Sequence, residues 1–156
     1  MRMNLRTPAA EGLKAMHALE AYLDTAPVPR ATLELLRLRV SQINGCGFCV
    51  DMHAREALAA GVSGQRVHAV AAWRDTAFFS DEERAALALA EAATRLSDNP
   101  DGVPDAVWNA AADHYDEESL AAILMTIVAI NAWNRINVTL RNAPALRADE
   151  TPAATA

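Results

Sequence analysis

The chain has only two cysteines, Cys46 and Cys49, three positions apart in NGCGFCVDMH, and His53 follows the second by four. Residues of these types at this spacing serve a dithiol–disulfide couple or part of a metal site, or are simply two small buried hydrophobes. On a helix at about 100° per residue, offsets of three, four and seven share a face, so Cys46, Cys49 and His53 line one side. Asn44-Gly45 is a turn signal that puts Cys46 at or beside the helix N-terminus, where unpaired N–H groups and the macrodipole favour a thiolate. His53, one turn beyond Cys49, is placed to accept or share its proton. Both devices lower a thiol pKa from its ordinary value of about 8.5 and make a usable nucleophile at neutral pH.

The metal reading is the weaker one. A zinc site takes four ligands, or three and an open position, usually from separate chain segments. There is no second CxxC, and His17, His68 and His114 show no paired spacing, so those histidines read as structural. Covalent haem needs CxxCH, but Val50 follows Cys49. A thioredoxin-type CxxC follows a strand in a βαβ unit, and no such pattern is visible. Redox chemistry on a helical scaffold remains.

The elements that must carry these residues read as helices. Thr7-Pro8 predicts an N-cap and first helical position, with the helix running to about Leu23, and TAPVPR breaks it. From Ala31 to about Ile43, Leu33, Leu36, Val40 and Ile43 recur at three- and four-residue spacing, the period of a one-sided helix. A further helix starts at or just before Cys46 and runs to Ala60, stopped by Gly61. Ser63 caps a short helix through Trp73. Ser80 and Glu83 form a capping box for a helix to about Leu96. SDNPDGVP is a loop, with Pro104 in a first helical turn. Asp116 caps a long apolar helix to about Asn142. No convincing alternating strand occurs, so the fold class is all-α, a single domain of six or seven helices over residues 1–143. Residues 144–156, small, polar and Pro-containing, read as a flexible tail.

Composition agrees. The 156 residues suffice for one domain with a real core. Apolar residues are 52% and aromatics only 5%, a weight of Ala and Leu that suits close-packed helices and suggests surface buried in a homo-oligomer. A net charge of −6 argues against nucleic acid or an anionic membrane as partner. The N-terminus lacks the apolar run of a signal peptide, and no segment approaches about 20 uninterrupted apolar residues, LAAILMTIVAINAW coming closest. A cytoplasmic location is expected, where close thiols serve catalysis or metal binding more often than structure.

With the preceding helix included, ELLRLRVSQINGCGFCVDMHAREA resembles the AhpD-like alkylhydroperoxidases of the carboxymuconolactone decarboxylase family. Their pattern is a glutamate about twelve residues before a CxxC, and a histidine four after its second cysteine. Here those residues are Glu34, Cys46, Cys49 and His53. The resemblance covers about 50 residues and extends weakly into MHALEAYL and NAWNRIN. It implies an all-helical protomer in a trimer or hexamer, without cofactor or metal. It also implies reduction of a small hydroperoxide, with the cysteines cycling between dithiol and disulfide and regenerated by a lipoyl- or thioredoxin-like dithiol donor. Glu34 and His53 act as the proton relay in that scheme. The best-studied members carry a histidine directly before the second cysteine, where this chain has Phe48, so the relay must rest on Glu34 and His53. Phe48 reads as a core aromatic or as a wall of an apolar peroxide pocket.

Helical spacing brings the two sulfurs close enough for a bridge after small adjustment. Cys49 is expected to attack because it is within i,i+4 reach of His53 and the resemblance gives that role to the second cysteine. Cys46 then resolves. Taken alone, Glu34 would read as a solvated charge with Arg37 or Arg39 as imperfect helical partners. The family pattern makes it instead a buried carboxylate that orients the imidazole. Trp133, Asn134, Arg135 and Asn137 crowd polar atoms into the most apolar helix; they read as structural and are not assigned to catalysis. The reading is thus a thiol peroxidase or a thiol–disulfide oxidoreductase. Two alternatives stay open: a carboxymuconolactone-type decarboxylase, which has no use for a redox CxxC, and a non-enzymatic module whose disulfide switches its oligomeric state.

Overall fold

The structure, a computed structural model, describes residues 1–145; residues 146–156 of the expected tail lie outside the described residues. Seven α-helices and two short 3₁₀ turns, with no strand, make up the described residues. They are α1 (Ala10–Leu23), α2 (Arg30–Ile43), α3 (Gly47–Ala59), α4 (Gly64–Ala69), α5 (Asp81–Thr94), α6 (Asp105–Ala112) and α7 (Glu117–Leu140). The 3₁₀ turns are Val70–Asp75, continuing α4, and Leu96–Asp98 after α5.

Most caps follow the sequence. Ser63 and Asp116 accept N–H groups of Arg66 and Ser119, and Ser80 with Glu83 forms the full reciprocal box. Gly45 and Gly61 have φ of 67° and 90°, the left-handed conformation that stops α2 and α3. Several boundaries differ. Thr7 does not cap α1, which begins at Ala10 after a turn, with Ala9 at the N-cap and no side-chain bond. Leu96 falls in the 3₁₀ turn because α5 ends at Thr94, and α7 ends two residues early, at Leu140.

Helix α2 departs most from its sequence pattern. Its apolar spacing describes a one-sided helix, yet every residue from Thr32 to Leu38 is buried. Helices α3, α5 and α7 pack around it, and α1 lies on α7. A helix enclosed on all sides must bury its polar face too. Leu35, Leu36 and Val40 fill the centre, and each such side chain stabilises the fold by about 2 kcal/mol. Glu34, Arg37 and Ser41 are buried with them. Ile43, expected in the core, is only partly covered.

By length and composition α7 is apolar enough to cross a membrane, with mean hydropathy 1.4 over an 18-residue window, although Thr126, Asn131 and Asn134 interrupt its apolar run. Half of that window is buried against the other helices. Buried amides tie it in place. Asn134 donates to Ser41 Oγ at 3.1 Å, and Asn44 donates to Asn131 and Asn134 at 3.0 and 2.9 Å. Asn44 ends α2, so these bonds pin the turn that leads directly into Cys46.

Candidate active site

Cys46 is the N-cap of α3, and its sulfur accepts the backbone N–H of Cys49 at 3.3 Å. Its own N–H donates to Ser41 O at 3.0 Å, holding it against the end of α2. Cys49 lies in the first turn of α3, and the two cysteines are joined as a disulfide with Cα atoms 5.3 Å apart. The pair is 1% and 0% exposed, so a reactant must approach through the protein rather than across its surface.

One turn further along α3, buried His53 places Nδ1 2.8 Å from Glu34 Oε2. A carboxylate facing Nδ1 makes that nitrogen the donor, which leaves Nε2 as the acceptor of the neutral ring. Burial alone pushes the Glu34 carboxyl up, but the His53 hydrogen bond and the Arg37 charge outweigh it and hold the group below its ordinary value of 4.5. Glu34 is therefore an anion at neutral pH.

The chain of partners continues. Arg37, also buried, donates to Glu34 Oε1 at 2.7 Å and to Glu20 Oε2 at 2.9 Å. Trp133 Nε1 donates to the other Glu20 oxygen at 2.9 Å, and the His17 ring lies 5.5 Å from the Trp133 rings. The ion pair of Glu34 with Arg37, one turn along α2, is thus well made, where the sequence suggested an imperfect one. A second buried carboxylate, Glu91, is held by Arg39, Arg74 and Trp73, joining α5 to α2 and the 3₁₀ turn.

Two cavities, of about 590 and 720 Å³, adjoin the site and share Phe48, Leu13, Trp133, Asn137 and Arg6 in their walls. The first also reaches Glu34, Arg37 and His53. Phe48, half-buried, is thus both packed on the core and part of a cavity wall. The structure brings Cys46, Cys49, His53 and Glu34 into one region. It adds three that sequence reasoning left aside: Arg37, Glu20 and Asn137, whose Nδ2 is 3.5 Å from Cys49 Sγ. Two gave a signal beforehand: Arg37 as an imperfect helical partner of Glu34, and Asn137 as one of the polar residues crowded into an apolar helix. Among the described residues no group of three or more His, Cys, Asp or Glu could hold a metal ion.

An all-helical chain with a cysteine pair at a helix N-terminus and a Glu–His pair behind it matches known proteins. Residues 8–92 match the carboxymuconolactone decarboxylase family. The uncharacterized protein YdfG of Bacillus subtilis is 41% identical over 134 residues, covering 86% of this chain and 90% of that one. A solved protein of unknown function from Agrobacterium tumefaciens, with a suggested AhpD-type role in antioxidant defence, superposes with a TM-score of 0.88 at 34% identity. The superposition covers 94% of this chain and 99% of that one. Alkyl hydroperoxide reductase AhpD of Rhodopseudomonas palustris is 58% identical over a short stretch of 36 residues, 23% of this chain and 20% of that enzyme. The chain is an AhpD-like member of the carboxymuconolactone decarboxylase family.

Proposed function

We propose that this protein is a thiol-dependent peroxidase that reduces a small organic hydroperoxide at Cys49. The observation that carries the reading is the buried Glu34–His53 pair, one helical turn beyond a cysteine pair at bonding distance. That is what a nucleophilic thiol with its own general base requires.

In the reduced protein His53 takes the Cys49 proton. The thiolate attacks the terminal oxygen of the hydroperoxide, forming an S–O bond as the O–O bond breaks. The alkoxide leaves with the electron pair and takes the proton back from His53. Cys46 then attacks the sulfenic sulfur, an S–S bond forms, and water departs with the Cys46 proton. An external dithiol restores the pair by exchange and becomes a disulfide itself. The apolar wall of Phe48, Leu13 and Trp133 suits the organic part of the peroxide, and a reducing compartment such as the cytoplasm would keep the donor charged.

The test is peroxide consumption with hydroperoxides of graded size and several dithiol donors, lipoyl- and thioredoxin-type included. Sustained turnover that disappears in Cys49→Ser supports the proposal. A single oxidation that no dithiol reverses supports a redox switch instead. Decarboxylation of a lactone acid without peroxide turnover supports the third reading.

A further inference from the structure

We propose that Asn137 is a further catalytic residue, its side-chain N–H donating to the Cys49 sulfur and stabilising it as a thiolate. The proposal rests on the reading of Cys49 as the attacking thiol. Asn137 comes from α7, which packs against both α2 and α3, and is buried. Its Nδ2 has two acceptors, Trp133 O at 3.0 Å and Cys49 Sγ at 3.5 Å, so each of its hydrogens is used. Reversing the amide would set its oxygen against the Trp133 carbonyl.

The orientation is locked from the other end. Asn142 donates to Asn137 Oδ1 at 2.8 Å through its side chain and to Asn137 O at 2.9 Å through its backbone. Asn142 reaches both because Arg141 ends α7 with φ of 56°, the only positive φ of a non-glycine residue among the described residues. A left-handed arginine is disfavoured, and such strain persists where the surroundings require it. Here it folds the chain back onto the amide that meets the sulfur. A fixed N–H aimed at a buried sulfur favours the charged form without reorganisation, as a donor in an oxyanion hole does. Phe48, which stands where the best-studied members of the family carry a histidine, has no donor to offer. Asn137 supplies one from another helix.

The other charged groups near α3 are, on its own helix, His53, Asp51 paired with Arg55, and Glu56 paired with Arg30 of α2. On α2 they are Glu34 and Arg37, and on α4 Arg66, paired with Glu83, and exposed His68. On α7, Arg135 is exposed and bonded to Asn131. None of them is bonded to the Asn137 side chain, whose partners are Cys49, Trp133 and Asn142.

The experiment is a pH titration of the full chain, reduced with excess phosphine and labelled with ¹³C and ¹⁵N. Asn137→Leu should move the midpoint of the Cys49 ¹³Cβ resonance to higher pH by about one unit, a tenfold loss of thiolate below the midpoint. In the unaltered protein an Asn137 side-chain N–H proton should shift with the midpoint of Cys49. An unchanged midpoint in Asn137→Leu would overturn the proposal. So would an Asn137 amide that does not follow Cys49, which decides the matter even if the variant fails to fold. Peroxide turnover measured alongside keeps the two ideas apart: its absence overturns the peroxidase reading, whereas the titration judges Asn137.

Discussion

Glu34 of α2 and His53 of α3 meet at 2.8 Å between two buried side chains, and neither residue is free to turn elsewhere. Arg37 occupies the second Glu34 oxygen. The imidazole is therefore held in one orientation and one tautomer by a carboxylate that is itself clamped.

Loss of either member should slow oxidation of the thiol. His53→Ala removes the base and is expected to reduce the rate of peroxide reaction by about 100-fold or more. Glu34→Gln keeps the shape but loses the charge that orients the ring, and about tenfold is expected. Stopped-flow measurement of the first oxidation step separates these effects from regeneration by the donor. Equal rates in His53→Ala and the unaltered protein would remove His53 from the mechanism.

The two sulfurs should not be interchangeable. Cys46→Ser is expected to yield a sulfenic acid on Cys49 that a dimedone probe traps, while Cys49→Ser should be inert. The unaltered protein, treated mildly with peroxide, should lose two hydrogens by mass spectrometry without intermolecular crosslinks. Fast oxidation of Cys49→Ser would reverse the roles and show that the helix terminus at Cys46 outweighs the base beside Cys49.

Acid should weaken the fold through Glu34 and Glu91. Burial opposes ionisation of both, yet His53 and Arg37 for the first, and Arg74, Arg39 and Trp73 for the second, hold their folded pKa values below the ordinary 4.5. A group with a depressed folded pKa contributes its stability above the unfolded value and loses it as pH falls through the folded one. Urea unfolding should thus give constant stability contributions from these carboxylates above about pH 5 and a decline below about 4.5. Glu34→Gln should be less stable at neutral pH, and its deficit should shrink in acid. Arg37→Met, which strips Glu34 and Glu20 of their shared cation, should cost about 3 kcal/mol at neutral pH. A deficit for Glu34→Gln that is independent of pH would contradict the ionic account.

A protomer of 16.7 kDa should assemble as a trimer or a multiple of three. Leu124 and Val128 of α7 and Trp108 of α6 stand exposed, an apolar surface that a homo-oligomer would cover. Light scattering at micromolar concentration measures this directly, and a monomer would sink the expectation.

What the sequence determined by itself was local. Helix existence follows from spacing and from caps such as Ser80, Glu83 and Asp116, because those interactions close within one turn. The arrangement of Cys46, Cys49 and His53 on α3 follows for the same reason. The pairing of Glu34 with His53 was legible only through the resemblance, since nothing in the periodicity of α2 marks one acid among its leucines and arginines as buried. Tertiary structure decided the rest. Enclosure of α2 on all sides turned Arg37 from a surface charge into the clamp between Glu34 and Glu20. Packing of α7 against α3 carried Asn137, 88 residues away in sequence, to the Cys49 sulfur. Such contacts depend on how helices are stacked, and no pattern within a single helix encodes them.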